Sequence, residues 1–255
     1  MKGKRKMKKI LKNDYKFLIF LAFFGIVGGY FTALYSIQTI DPVILEQTLA
    51  QVGSIDVVIV ITTIQSLGYA LVLGILGKIL SNKIGLWRPL TFIKKGNLEL
   101  CVVVILGGAA FILVDYLFFA NFSDIIKNSY ALAPTPEYII ASITYGGVIE
   151  EVMMRLFLMS LLAFLFQKLS KRHELDDKFL IIANVISAAI FATSHLPATM
   201  ISIGITPMIL LRCFVMNGGF GLLFGRLYRK YGIHYAMIGH AGLHIVSKLI
   251  WILFI

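Results

Sequence analysis

Charge is what this 255-residue sequence has least of. Asp, Glu, Lys and Arg make up 15% of it, where a soluble domain carries about 25%. With 58% hydrophobic residues and a mean hydropathy of +0.86, an ordinary water-soluble fold is excluded. No polar stretch is long enough to build a separate soluble domain. Other absences narrow the class further. There is no succession of alternating strands of about ten residues, which excludes a membrane β-barrel. The two cysteines, Cys101 and Cys213, make no metal or redox spacing and read as core residues. Gly218, Gly219, Gly221 and Gly225 cluster as a phosphate loop would, but no Gly-Lys-Ser/Thr accompanies them and no strand precedes them. Gly221 and Gly225 instead give a small-xxx-small face for close helix packing. The first apolar run lacks a small-x-small cleavage site, so a removable signal peptide is not expected.

What the sequence does have is continuous apolar runs near 20 residues long, the length of a membrane-spanning helix. The expected fold is all-α, a polytopic transmembrane helical bundle of about seven spans. They run over 17–36, 55–80, 98–120, 137–169, 179–195 (stopped by Pro197), 208–228 and 234–255. Residues 1–16, with eight Lys/Arg and one acid, read as a basic cytoplasmic tail. Residues 17–120 form N-terminal transmembrane helices, and 137–255 a core. Pro42–Val52 is a short amphipathic piece in an external loop, and 198–207 an external turn or re-entrant piece. The net charge of +11 does not call for nucleic acid, because the basic residues cluster at one set of span ends, as the positive-inside rule requires. That rule places the N-terminus inside. His173 falls in a charged internal loop and reads as solvated. Arg212 and Lys248, near outer span ends, are expected to snorkel. Asp115, also near an outer end, is a further site candidate.

Ionisable side chains in hydrocarbon cost roughly 2.5–3.5 kcal/mol each and are functional by default. The run Gly147–Ser160 holds three: Glu150, Glu151 and Arg155. Glu151 and Arg155, four apart, share a helix face and can pair. Glu150 is turned about 100° away and needs another partner. His195 ends the fifth span, and His240 and His244 share a face of the last. Together these residues can hydrolyse a bond with water. A carboxylate accepts the proton, a histidine orients the water, and further histidines stabilise an oxyanion. No serine or cysteine nucleophile is needed. Ser194 adjoins His195 but neighbours on a helix do not face each other.

The motifs Glu150-Glu151-x-x-x-Arg155, Phe191-x-x-x-His195 and His240 with position 244, in that order on separate helices, resemble the CPBP family of intramembrane proteases. It is also called the Abi or type 2 CAAX protease family. The resemblance covers about 144–246 and includes the Gly-rich run through Gly225. It implies an active site among the fourth, fifth and last helices. Glu150 would activate water with His195, His240 and His244 would stabilise the oxyanion, and Glu151 and Arg155 would hold the site. The family usually has Asn or Asp where His244 stands; a histidine can still donate to an oxyanion, and it also admits better metal binding or a non-proteolytic role. Glu150, His195 and His240 would also serve as zinc ligands. The absence of a thiolate and of a His-Glu-x-x-His pair favours glutamate-type catalysis. The implied partners are a peptide or membrane-protein substrate and the lipid bilayer, with no nucleic acid. The implied location is a multi-pass cell membrane protein, with 17 Lys to 7 Arg suiting a low-GC bacterium. Two rival readings remain: a non-catalytic immunity or binding protein, and a proton-coupled transporter. Oligomeric state is not readable from these residues.

Overall fold

The computed structural model describes residues 15–170 and 176–255. The expectations for residues 1–14 of the basic tail and for His173 lie outside the described residues. Among the described residues the chain is helical, with no strand. The helices are α1 (Tyr15–Thr39), α2 (Pro42–Val52), α3 (Ile55–Lys83), α4 (Lys94–Phe122), α5 (Asp124–Ser129), α6 (136–169), α7 (Asp177–Ser202), α8 (Pro207–Tyr231) and α9 (Ile233–Phe254). Six of them, α1, α3, α4, α7, α8 and α9, are long and apolar enough to cross a membrane. The expectation of about seven spans therefore becomes six, plus α6, which carries Glu150, Glu151 and Arg155. Ile19, Leu106 and Leu253 are among many large apolar side chains left more than half exposed. In water such a surface would be a liability; in a bilayer it faces hydrocarbon.

Local chemistry sets the helix starts. Asp41 caps α2, accepting hydrogen bonds from the Val43 and Ile44 amides at 2.9 and 3.4 Å, with Pro42 in the first turn. Thr135 does the same for α6, accepting from Tyr138 at 3.3 Å with Pro136 following. These are the preferred cap and first-turn residues, because they satisfy or remove donors with no intrahelical partner. Gly232, at φ +107°, turns α8 into α9 in a conformation that side-chain-bearing residues resist.

α6 lies at the centre. Its first half packs against α1 and α9, and its second half against α3 and α7. It holds wide π-helical turns over Ser142–Glu150 and Val152–Met159, a form often found at functional sites. The apolar core runs along it through Val148, Ile149, Val152, Leu156 and Met159.

Several sequence expectations are corrected. Pro197 does not stop the fifth span. His195 takes a turn, Pro197 sits in the first turn of a new helical segment where a missing amide costs nothing, and α7 continues to Ser202. The stretch 198–207 is thus mostly helix. Cys213 is buried, but Cys101 is exposed on α4 and is not a core residue. The Gly221/Gly225 face, by contrast, is used for close helix packing as expected: added Cβ atoms would strike Arg155, Ala188 and Asn184 of α6 and α7. Neither Arg212 nor Lys248 snorkels. Lys248 is 4% exposed, and Arg212 forms a two-pronged ion pair with Asp115 at 2.5 and 2.7 Å. Tyr130, whose phenol is pushed up by burial and by the Asp115 charge, donates to that carboxylate at 2.7 Å. Asp115 is accounted for as the link between α4 and α8. Replacing it with Ala is expected to lower unfolding stability by about 2–3 kcal/mol without changing catalytic rate. That is less than a fully buried pair would lose, because Arg212 keeps 23% exposure. Thermal unfolding in detergent, beside an activity assay, checks both halves.

Candidate active site

The two glutamates leave α6 towards different neighbours. Glu150 faces α7, with its Oε1 3.8 Å from Nε2 of His195. These side chains are 20% and 32% exposed, so molecules can reach them. His195 Nδ1 lies 2.8 Å from the Phe191 carbonyl. A carbonyl only accepts, so Nδ1 carries a proton, and in its neutral form the ring turns the Nε2 lone pair towards Glu150. Two acceptors therefore face each other across a gap suited to a shared donor.

Glu151 is fully buried. Its Oε1 lies 3.1 Å from Nη1 of Arg155 and accepts from Nδ1 of His240 at 2.8 Å. Arg155 donates from Nη2 to the Gly221 carbonyl at 3.0 Å and lies over the Phe191 and Phe224 rings, 4.7 and 5.7 Å from their centroids. Those aromatic faces help hold a cation with little water around it. His240 stacks on Phe224 at 4.3 Å and 15°. Its Nε2 is 3.2 Å from Nε2 of His244, whose Nδ1 is 3.2 Å from Nζ of Lys248.

The structure thus brings all six sequence-predicted residues together, in two halves. Glu150 and His195 form the accessible half, and Glu151, Arg155, His240 and His244 the packed half. Phe191 stands between them, with its ring centroid 4.7 Å from that of His195 and 6.2 Å from that of His240. The histidines reach a common depth from unequal distances along their helices. His195 is 18 residues from the start of α7 and His240 seven from the start of α9, a difference of roughly 16 Å of rise. Asp177 at the start of α7 lies 3.3 Å from Arg229 near the end of α8, just before α9 begins.

The zinc alternative fits this arrangement poorly. Among the described residues no three His, Cys, Asp or Glu are placed to hold a metal ion. His240 has both ring nitrogens engaged, leaving Glu150 and His195 as two free donors where zinc takes at least three protein ligands.

Lys248, Phe224 and Tyr138 were not read as site residues. For Lys248 a signal existed, since His240, His244 and Lys248 repeat at i, i+4 and i+8 and so form one ladder on α9. Phe224 and Tyr138 are aromatic residues among many, and only tertiary contact selects them.

Gly146 and Gly147 do opposite work. A Cβ at Gly147 would lie 2.6 Å from Cβ of Ala241, so this glycine lets α6 and α9 touch. A Cβ at Gly146 would meet only ordinary contacts, 3.5 Å from Nε2 of His244 and 3.8 Å from Nε2 of His240. Gly147→Ala is expected to destabilise the protein by about 1–3 kcal/mol through overpacking. Gly146→Ala is expected to leave the melting temperature unchanged or slightly raised, alanine being the better helix former. It should nevertheless lower turnover, by filling the space the two imidazoles face. Paired melting curves and initial rates separate the two effects.

No curated protein and no solved structure matches the chain. The family model described as Type II CAAX prenyl endopeptidase Rce1-like matches residues 133–246, a stretch that contains all six clustered residues. That stretch holds α6, α7, α8 and the first part of α9 with His240 and His244, and over it the chain is similar to the Rce1-like family of type II CAAX prenyl endopeptidases.

Proposed function

We propose that this chain is an intramembrane endopeptidase of glutamate type, cleaving a membrane-associated peptide or protein with a water molecule activated by Glu150 and His195. The observation that carries the reading is the facing pair of acceptors, Glu150 Oε1 and His195 Nε2, 3.8 Å apart in the accessible half of the cluster. A water between them would donate one O–H to each. Glu150 takes a proton as the water oxygen bonds to the scissile carbonyl carbon, and the carbonyl oxygen becomes an oxyanion. His244, supported by His240, donates to that oxyanion. As the C–N bond breaks, the proton held by Glu150 passes to the departing amine. Such general-base assistance contributes typically about 10²–10⁴-fold. Glu151 and Arg155 do not touch the substrate; they hold His240.

In this reading residues 137–255 form the protease core, 17–120 complete the bundle, and the basic N-terminus is cytoplasmic in a bacterial cell membrane. The family match favours hydrolysis over a non-catalytic immunity protein or a transporter. The testing experiment incubates purified protein with prenylated and unmodified peptides and identifies products by mass spectrometry, before and after dialysis against a chelator. Cleavage at an unchanged rate after dialysis is expected. A rate lost on dialysis and restored by zinc would replace the glutamate mechanism with a metal one.

A further inference from the structure

Lys248 is buried within α9, two residues beyond the stretch that matches the family. Among the described residues it is paired with no carboxylate. Its Nζ lies 4.2 Å from the centroid of the Tyr138 ring and 3.2 Å from Nδ1 of His244. Over an aromatic face a cation is favourable where water is scarce; the Lys248 nitrogen has N–H to give in either protonation state, and as an ammonium it has no lone pair to offer in return. His244 Nδ1 is then an acceptor, which leaves the His244 proton on Nε2. At the other end of the chain the Glu151 carboxylate only accepts, so the His240 proton sits on Nδ1 and His240 Nε2 is a lone pair. With both imidazoles neutral, all three contacts run one way. Lys248 donates to His244, His244 Nε2–H donates to His240 Nε2, and His240 Nδ1–H donates to Glu151.

We propose that Lys248 is a positioning residue that locks His244 in its Nε2–H tautomer, making His244 the N–H donor aimed into the space beside Gly146. The inference rests on the protease reading for what that donor does there. A carbonyl oxygen entering the space becomes the better acceptor as it gains charge, and the His244 N–H transfers its hydrogen bond from His240 to the oxyanion. An asparagine at position 244 would present an amide N–H whatever its neighbours did. A histidine presents one only if its tautomer is set; the His240 Nε2 lone pair favours it from one side, and Lys248 excludes the alternative by occupying Nδ1 on the other.

The test is made on the full chain in detergent, labelled with ¹⁵N-histidine. In the wild type the His244 Nδ1 resonance falls in the non-protonated range. Lys248→Met keeps the chain length without a donor, and the protonated Nδ1 signal is expected to appear. Lys248→Arg keeps a charged donor over Tyr138 and should retain the wild-type signal. With a cleaved peptide as probe, Lys248→Met should lower kcat with KM unchanged. The loss approaches the roughly 10²–10³-fold expected when an oxyanion donor is removed. In a His244→Asn background the same Lys248→Met change should have little further effect. A His244 Nδ1 that stays non-protonated in Lys248→Met overturns the proposal, as does an equal kcat loss in both backgrounds. The resonances are read without any substrate. A wild type that cleaves nothing, beside a Lys248→Met variant that shows the tautomer shift, therefore fails the protease reading while supporting the tautomer lock.

Discussion

Replacing Arg155 with Met is expected to cost about 3–5 kcal/mol of unfolding free energy, the usual penalty for removing one member of a buried ion pair. Arg155 is 1% exposed and Glu151 fully buried, so the abandoned carboxylate has no water to turn to. His240 remains 2.8 Å away, and its protonation offsets part of the loss at the expense of the neutral donor chain. The double replacement Glu151→Met/Arg155→Met removes both charges and is expected to recover most of the stability. It should remain inactive, because His240 Nδ1 loses its acceptor and its tautomer is no longer set. Unfolding midpoints in detergent for the two single variants and the double variant check this; a double variant no more stable than either single one would mean that packing, not charge, dominates here.

Glu150→Gln is expected to behave in the opposite way. Its side chain is 20% exposed and stands 3.8 Å from His195 rather than in a tight ion pair, so the melting temperature should stay near wild type. The amide cannot accept the water proton, and kcat for peptide cleavage should fall by about 10²–10⁴-fold, with KM little changed. On the proposed mechanism, two adjacent glutamates in one sequence motif would divide into one required for folding and one required for turnover. The measurement is initial rates under saturating peptide, beside a melting curve for each variant.

The geometry behind that expectation is legible in the sequence. Four-residue spacing assigned Arg155 to Glu151 and left Glu150 without a partner, and helix periodicity put His240 and His244 on one face. Apolar run length located the helices because hydrocarbon leaves few alternatives to them. Three other features were not legible, each for a physical reason. The Glu151–His240 bond joins residues 89 positions apart, which no local pattern encodes. Pro197 looked like a stop because a proline breaks a helix interior, but the turn at His195 puts it in a first turn instead. Arg212 and Lys248 looked like snorkelling cations because their depth was judged on single helices. Their partners, Asp115 on α4 and Tyr138 on α6, are supplied by other elements.

The central claim is that water is activated between Glu150 and His195. The most direct measurement compares wild type, Glu150→Gln and His195→Ala on one peptide library, each purified in detergent and shown by its melting curve to be folded. The account predicts defined cleavage products from the wild type and, from each variant, products slower to appear by two orders of magnitude or more. Equal cleavage by all three proteins would contradict it.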